Sequence, residues 1–126
     1  CVLLIEYADE QILLTGDIER EVEWRLVGQG QLPDSIRLLQ VPHHGSRTSS
    51  TQEFVTRLAP EYAVVSASYL GRHGHPNAEV VQRYEEKGTR LLNTADSGAL
   101  VFEWYAPGKG PVVKPARAHW RRYWYQ

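Results

Sequence analysis

Three apolar runs of strand length, each ending in a polar loop that leads into a helical pattern, constrain this fold more than any other feature. Ile12-Leu13-Leu14 runs into Thr15-Gly16-Asp17, and Leu38-Leu39-Gln40-Val41 into Pro42-His43-His44-Gly45-Ser46. Ala63-Val64-Val65 leads to a loop carrying His73-Gly74-His75-Pro76. Strand followed by helix, three times over, predicts parallel strands joined by helical crossovers. Such an α/β sheet gathers its loops at one edge, where open sheets place their sites. Aspartate and histidine meeting there suggest a metal.

The intervening segments complete the pattern. Residues 2–7 and 11–15, separated by Ala8-Asp9-Glu10, read as a hairpin, and because neither run alternates, both faces are expected to be covered. Asp17 opens a helical pattern with Ile18, Val22 and Leu26 four apart, stopped by Gly28 and leaving Trp24 partly exposed. Ser50 and Glu53 predict a capping box for a helix that turns Phe54, Leu58 and Ala59 inward and ends before Pro60. Asn77 is expected to cap a third helix through Val80, Val81 and Tyr84, ending at Gly88. Residues 91–94 and 99–105 are expected to close the fold as a hairpin around Ala95-Asp96-Ser97-Gly98, with order decaying from Ala106.

Composition narrows the chemistry. The 126 residues are enough for one domain with a real core, and no apolar run approaches the roughly 18 residues of a membrane helix. A single cysteine excludes an internal disulfide and a thiolate zinc cage, so a metal would rest on imidazole and carboxylate. All 15 acidic residues precede position 109, whereas the last 18 residues carry five basic groups and no acid. Methionine is absent, and Cys1 opens directly into Val2-Leu3-Leu4-Ile5. The chain therefore reads as a piece of a larger protein, with any targeting segment or membrane span expected outside it.

The candidate site residues follow from position. Asp17, at a strand exit, is placed to use both carboxylate oxygens on metal ions, though aspartate is also a favoured helix cap. His43 and His44 would point to opposite faces of a regular strand unless the chain turns between them, as Gly45 permits. One is read as a metal ligand, the other as near substrate or supporting the ligands. His75 suits metal, a phosphate oxygen or proton donation to a leaving group, while His73 reads as solvent-exposed. Ser46 is placed to donate to an anion. The tail, with Arg121 and Arg122 among aromatic rings, has the character of a single-stranded nucleic-acid surface or of a packed terminus.

Taken together, Leu13-Leu14-Thr15-Gly16-Asp17, Val41-Pro42-His43-His44-Gly45-Ser46, Gly74-His75-Pro76 and Asn93-Thr94-Ala95-Asp96-Ser97-Gly98-Ala99 resemble the C-terminal metallo-β-lactamase-like domain of the ComEC competence proteins. The resemblance runs over residues 1–105. It implies a mixed sheet with packed helices in an αββα sandwich, a two-metal hydrolytic site using zinc or manganese, and nucleolytic action on DNA in a protein whose other parts form a membrane channel. Asp17 then matches the metal-bridging aspartate and His44 a histidine ligand, with His43 and His75 facing the scissile phosphate and metal ligation open to either. The family's His-x-Asp-x-Asp-His motif is nowhere in this sequence and is expected upstream of Cys1.

On this reading residues 1–108 are the C-terminal half of the domain and 109–126 a basic, aromatic tail. The implied partners are single- or double-stranded DNA, contacted through Ser46, Arg121 and Arg122, the upstream half of the domain, and the channel part of the parent protein. The implied location is the outer side of a bacterial inner membrane. The fragment alone is expected to be inactive, to bind metal weakly or not at all, and to self-associate through an uncovered sheet face. Two other classes stand beside this reading: another hydrolase of the same fold acting on a phosphodiester or lactone, and a non-catalytic DNA-binding or docking module.

Overall fold

The computed structural model describes residues 1–69, 71, 72 and 74–119. It is a mixed α/β fold. Strands β1 (Leu3–Tyr7), β2 (Glu10–Leu14), β3 (Leu38–Gln40), β4 (Tyr62–Val65) and β5 (Arg90–Asn93) form one sheet in that spatial order. β1 and β2 pair antiparallel; β2 through β5 run parallel. Helices α1 (Arg20–Gly28), α2 (Gln52–Leu58) and α3 (Ala78–Glu86) are the three crossovers. Because the strand order advances in one direction, right-handed crossovers place all three on the same face.

Register explains the core. Leu13, Leu39, Ala63 and Leu91 are successive partners across β2 to β5 and so share one face. That row joins Phe54, Val55 and Leu58 of α2 and Val80 and Tyr84 of α3 in one cluster. The opposite row of Ile12, Leu38 and Tyr62 continues onto β1 through the Ile5–Ile12 and Leu3–Leu14 pairs. There the chain is uncovered: Leu3, Ile5, Tyr7 and Leu14 are all exposed. The expectation that both faces of the β1–β2 hairpin are covered therefore fails, since among the described residues nothing lies over that side of β1.

The closing hairpin differs too. β5 pairs parallel with β4, and the hairpin is made instead by β6 (Leu100–Glu103) and β7 (Val112–Pro115), with α4 (Thr94–Ser97) between β5 and β6. Phe102 of β6 meets the Tyr62 ring edge-on at 5.7 Å, which sets this hairpin against the start of β4. Order thus continues past Ala106, through β7 and the short helix α5 (Ala116–His119). Among the described residues no helix is long and apolar enough to cross a membrane.

Helix ends follow local chemistry. Asn77 caps α3 by accepting from Glu79 N at 3.0 Å, as its position predicts. α2 departs from the capping-box expectation: its cap is Thr51, whose Oγ1 accepts from Phe54 N at 3.4 Å. Ser50 instead takes a positive φ of 55° and turns its hydroxyl to the Tyr84 hydroxyl, 2.9 Å away.

Candidate functional site

Parallel strands bring the loops after β2, β3 and β4 to one edge, and hydrogen bonds lock them together. Thr15 Oγ1 donates to Gln40 O at 2.8 Å, Gly16 N to the Gln40 side chain at 3.3 Å, and His43 N to Gly16 O at 3.0 Å. Asn77 N donates to Gly45 O at 2.9 Å, which ties in the loop before α3.

The chain turns sharply at Pro42–Gly45. His43 (φ 49°, ψ 44°) and His44 (φ 57°, ψ 20°) are both left-handed, so the two imidazoles diverge from a common corner, their centroids 6.3 Å apart. Gly45 follows at φ 77°, and a Cβ there would stand 2.6 Å from the Pro76 Cβ. Only glycine fits that corner.

His44 goes towards the β4 side. Its Nδ1 lies 2.6 Å from Ser66 O, and since a carbonyl only accepts, Nδ1 carries the proton. Nε2 then faces Asp17 Oδ1 across 3.5 Å, with both side chains about half exposed or more. A backbone carbonyl behind one ring nitrogen and a carboxylate before the other is how metal-binding histidines are commonly oriented. His44 and His75 line the same cleft of about 450 Å³, together with Ser66, Ala67, Ser68 and Gly71. Asp17, His44 and His75 therefore occupy one region.

His43 goes the other way. Its Nδ1 lies 3.1 Å from Glu19 Oε1, yet out of line for a hydrogen bond, so the contact is electrostatic proximity alone. Ser46 is engaged within its own loop: its Oγ is 3.1 Å from Thr48 Oγ1 and accepts from Thr48 N at 3.3 Å. His73, Arg121 and Arg122 lie outside the described residues.

Two carboxylates escape a sequence reading. Glu19, the residue before α1, accepts from Thr48 Oγ1 at 3.0 Å while standing beside His43. Glu23, one turn on, is completely buried and accepts from Ser50 N at 2.6 Å and Thr51 N at 2.8 Å. Burial raises its pKa, partly offset by those N–H donors and by Arg83. The available signal was spacing: Glu23 lies four residues before Val27 on α1, and a carboxylate that a helix turns inward needs partners.

The chemistry of the donor set limits what it can hold. Among the described residues no three His, Cys, Asp or Glu side chains converge on one point. Asp17 Oδ1 and His44 Nε2 suit one edge of a divalent ion's coordination shell, carboxylate and imidazole both being accepted ligands of zinc.

The chain is thus a mixed α/β protein with imidazole and carboxylate gathered at the carboxyl ends of its parallel strands, the edge at which open α/β sheets place their sites. No family model matches the chain. It is 37% identical over 126 residues to Competence protein ComA of Neisseria gonorrhoeae, covering 98% of this chain and 18% of that protein. It is 34% identical to Uncharacterized protein YcaI of Escherichia coli (86% and 14% covered) and 33% identical to ComE operon protein 3 of Bacillus subtilis (82% and 13% covered). The chain belongs to the ComEC family of competence proteins. It spans less than a fifth of the length of the curated relatives it matches.

Proposed function

We propose that this chain is the C-terminal half of a metallo-β-lactamase-like domain that hydrolyses DNA phosphodiesters in a competence protein engaged in DNA uptake. The observation that carries the reading is His44: Nδ1–H donates to Ser66 O, and Nε2 is thereby aimed at Asp17 Oδ1, 3.5 Å away. At that separation the two groups are too far apart for a hydrogen bond of ordinary length and close enough to share a cation. Asp17 and His44 are the residues that would hold it. The upstream half of the domain supplies the remaining donors.

Two divalent ions, zinc or manganese, would lower the pKa of a bound water and neutralise charge on the attacked phosphate. The rest falls to the chain's own groups. Ser66 O fixes the His44 tautomer, and His75, which lines the same cleft, would hold a phosphate oxygen or protonate the leaving oxygen. His43, whose Nδ1 lies 3.1 Å from Glu19 Oε1, would contact the phosphate from the α1 side. The membrane-channel remainder of the parent protein would present this domain on the outer side of the inner membrane.

The test uses the full-length parent protein, with single- and double-stranded DNA and with zinc and manganese supplied separately. Asp17→Ala and His44→Ala are expected to abolish cleavage with the fold retained. His43→Ala and His75→Ala should chiefly lower turnover. Cleavage by Asp17→Ala at the parent's rate, or no cleavage by the parent under any of those conditions, overturns the reading.

A further inference from the structure

A second cleft, of about 250 Å³, is lined by residues that follow the His43–Ser46 turn and by the starts of α1 and α2. Arg20, Trp24, Arg47, Gln52, Glu53 and Arg83 are among its lining. Arg83 is committed, donating to Ser50 O at 2.8 Å and standing 3.8 Å from Glu79. Arg20 and Arg47 are different: both are exposed, and among the described residues neither guanidinium has a hydrogen-bond or ion-pair partner. Trp24 lines the same cleft and is 50% exposed, a large apolar ring left in water in a cleft that also holds two free cations. Glu53 is the one carboxylate among the described lining residues.

We propose that this cleft holds a stretch of single-stranded nucleic acid, with backbone phosphates on Arg20 and Arg47 and a base stacked on the Trp24 indole. The size favours part of a polymer, because a free drug-sized ligand usually occupies a pocket of about 300 Å³ or more. Planar guanidiniums match phosphate oxygens two at a time, and an exposed indole offers the flat apolar surface on which an unpaired base stacks. A duplex keeps its bases stacked on one another, so the ring selects a single strand. The contact lies next to the candidate hydrolytic edge: Arg20 N donates to Thr48 O at 3.0 Å, two residues after Ser46. The inference rests on the proposed function only for the strand's being DNA.

Fluorescence anisotropy of a labelled oligothymidylate of about 12 nucleotides, titrated with the full chain in EDTA, tests this cleft whether or not the metal reading holds. Arg20→Ala/Arg47→Ala is expected to weaken binding about tenfold or more at low salt. It should also reduce the log–log salt slope by roughly 1.4, two phosphate contacts at about 0.7 each for a single strand. Trp24→Ala should lose at least about fivefold on the oligothymidylate and nothing on an abasic strand of the same length. Arg25→Ala, on the same helix but away from the cleft, should bind as the parent does. All variants keep the tail unchanged, and circular dichroism verifies their folds.

No binding by the parent, parent-like binding by the double arginine variant, or equal loss by Trp24→Ala on the abasic strand overturns the proposal. Displacement of the oligonucleotide by polyglutamate at equal charge concentration also overturns it and assigns the cleft to an acidic peptide.

Discussion

Replacing Glu23 by glutamine tests the tie that fixes the start of α2 against α1. The carboxylate is wholly buried and satisfies two backbone donors, Ser50 N at 2.6 Å and Thr51 N at 2.8 Å. Glutamine keeps one acceptor oxygen and turns an amide N–H₂ towards the other donor, leaving a buried N–H unmet at a cost of about 1–3 kcal/mol. Relief of the buried charge works in the opposite direction, so the net loss should fall within that range rather than above it. For a chain of this size each kcal/mol corresponds to roughly 3–6 °C in Tm. Urea denaturation followed by circular dichroism would read the change, with an unchanged slope marking a true stability effect.

The pH dependence has a definite sign. Burial lifts the folded pKa of Glu23 above its ordinary 4.5, with the Ser50 and Thr51 amides and Arg83 opposing that rise and the neighbouring Tyr84 phenol kept neutral by its own burial. The folded state therefore holds this proton more tightly than the unfolded chain. Stability from this group is fully present below 4.5 and is lost as pH rises through the folded pKa. Glu23→Gln should flatten that decline. A variant within about 0.5 kcal/mol of the parent at neutral pH, or one whose stability falls more steeply over the same interval, would refute the reasoning.

Gly45→Ala should cost about 2–4 kcal/mol, because its Cβ would meet Pro76 Cβ at 2.6 Å and Cα at 3.0 Å from a backbone at φ 77°; a neutral result in denaturant titration would mean the corner can relax. Thr51→Ala should lose about 1 kcal/mol as a true helix cap, while Glu53→Ala should stay within about 0.5; the reverse order would restore the capping box. The uncovered apolar side of β1 should drive self-association of the isolated chain, relieved by Leu3→Lys/Ile5→Lys. Multi-angle light scattering would read it, and a parent that is monomeric at all accessible concentrations would sink that expectation.

The parallel strands and the loops after them were legible because each signal was local. A short apolar run followed by Gly-Asp or Pro-His-His-Gly, then a helical period, leaves few alternatives once crossovers are right-handed. Asn77 was legible for the same reason. The rest depended on partners distant in sequence. Ser50-x-x-Glu53 satisfies the capping pattern, yet Tyr84 and Glu23 compete for the Ser50 hydroxyl and amide and pass the cap to Thr51. Residues 91–94 and 99–105 look like neighbouring strands, but β5 finds a better edge in β4, whose pairing runs over four residues. Opposite directions for His43 and His44 were legible from strand alternation, but not the turn with both residues left-handed that sends His44 to the β4 side.

Those two left-handed histidines set a bias on which sequences survive at this corner. The left-handed conformation costs an L-residue about 1–2 kcal/mol, and the penalty nearly vanishes for glycine and softens for asparagine. Here two such residues stand in succession, at φ 49° and φ 57°, held by contacts from Gly16 and from Ser66. The polypeptide thus bears the strain in advance, and an incoming ligand meets imidazoles whose orientational entropy has already been surrendered. A library of variants ranked by heat resistance alone would drift towards glycine or asparagine at 43 and 44, gaining robustness while discarding the rings. Persistence of both histidines through such a library, under added selection for the proposed activity, would register how strongly function pulls against that drift.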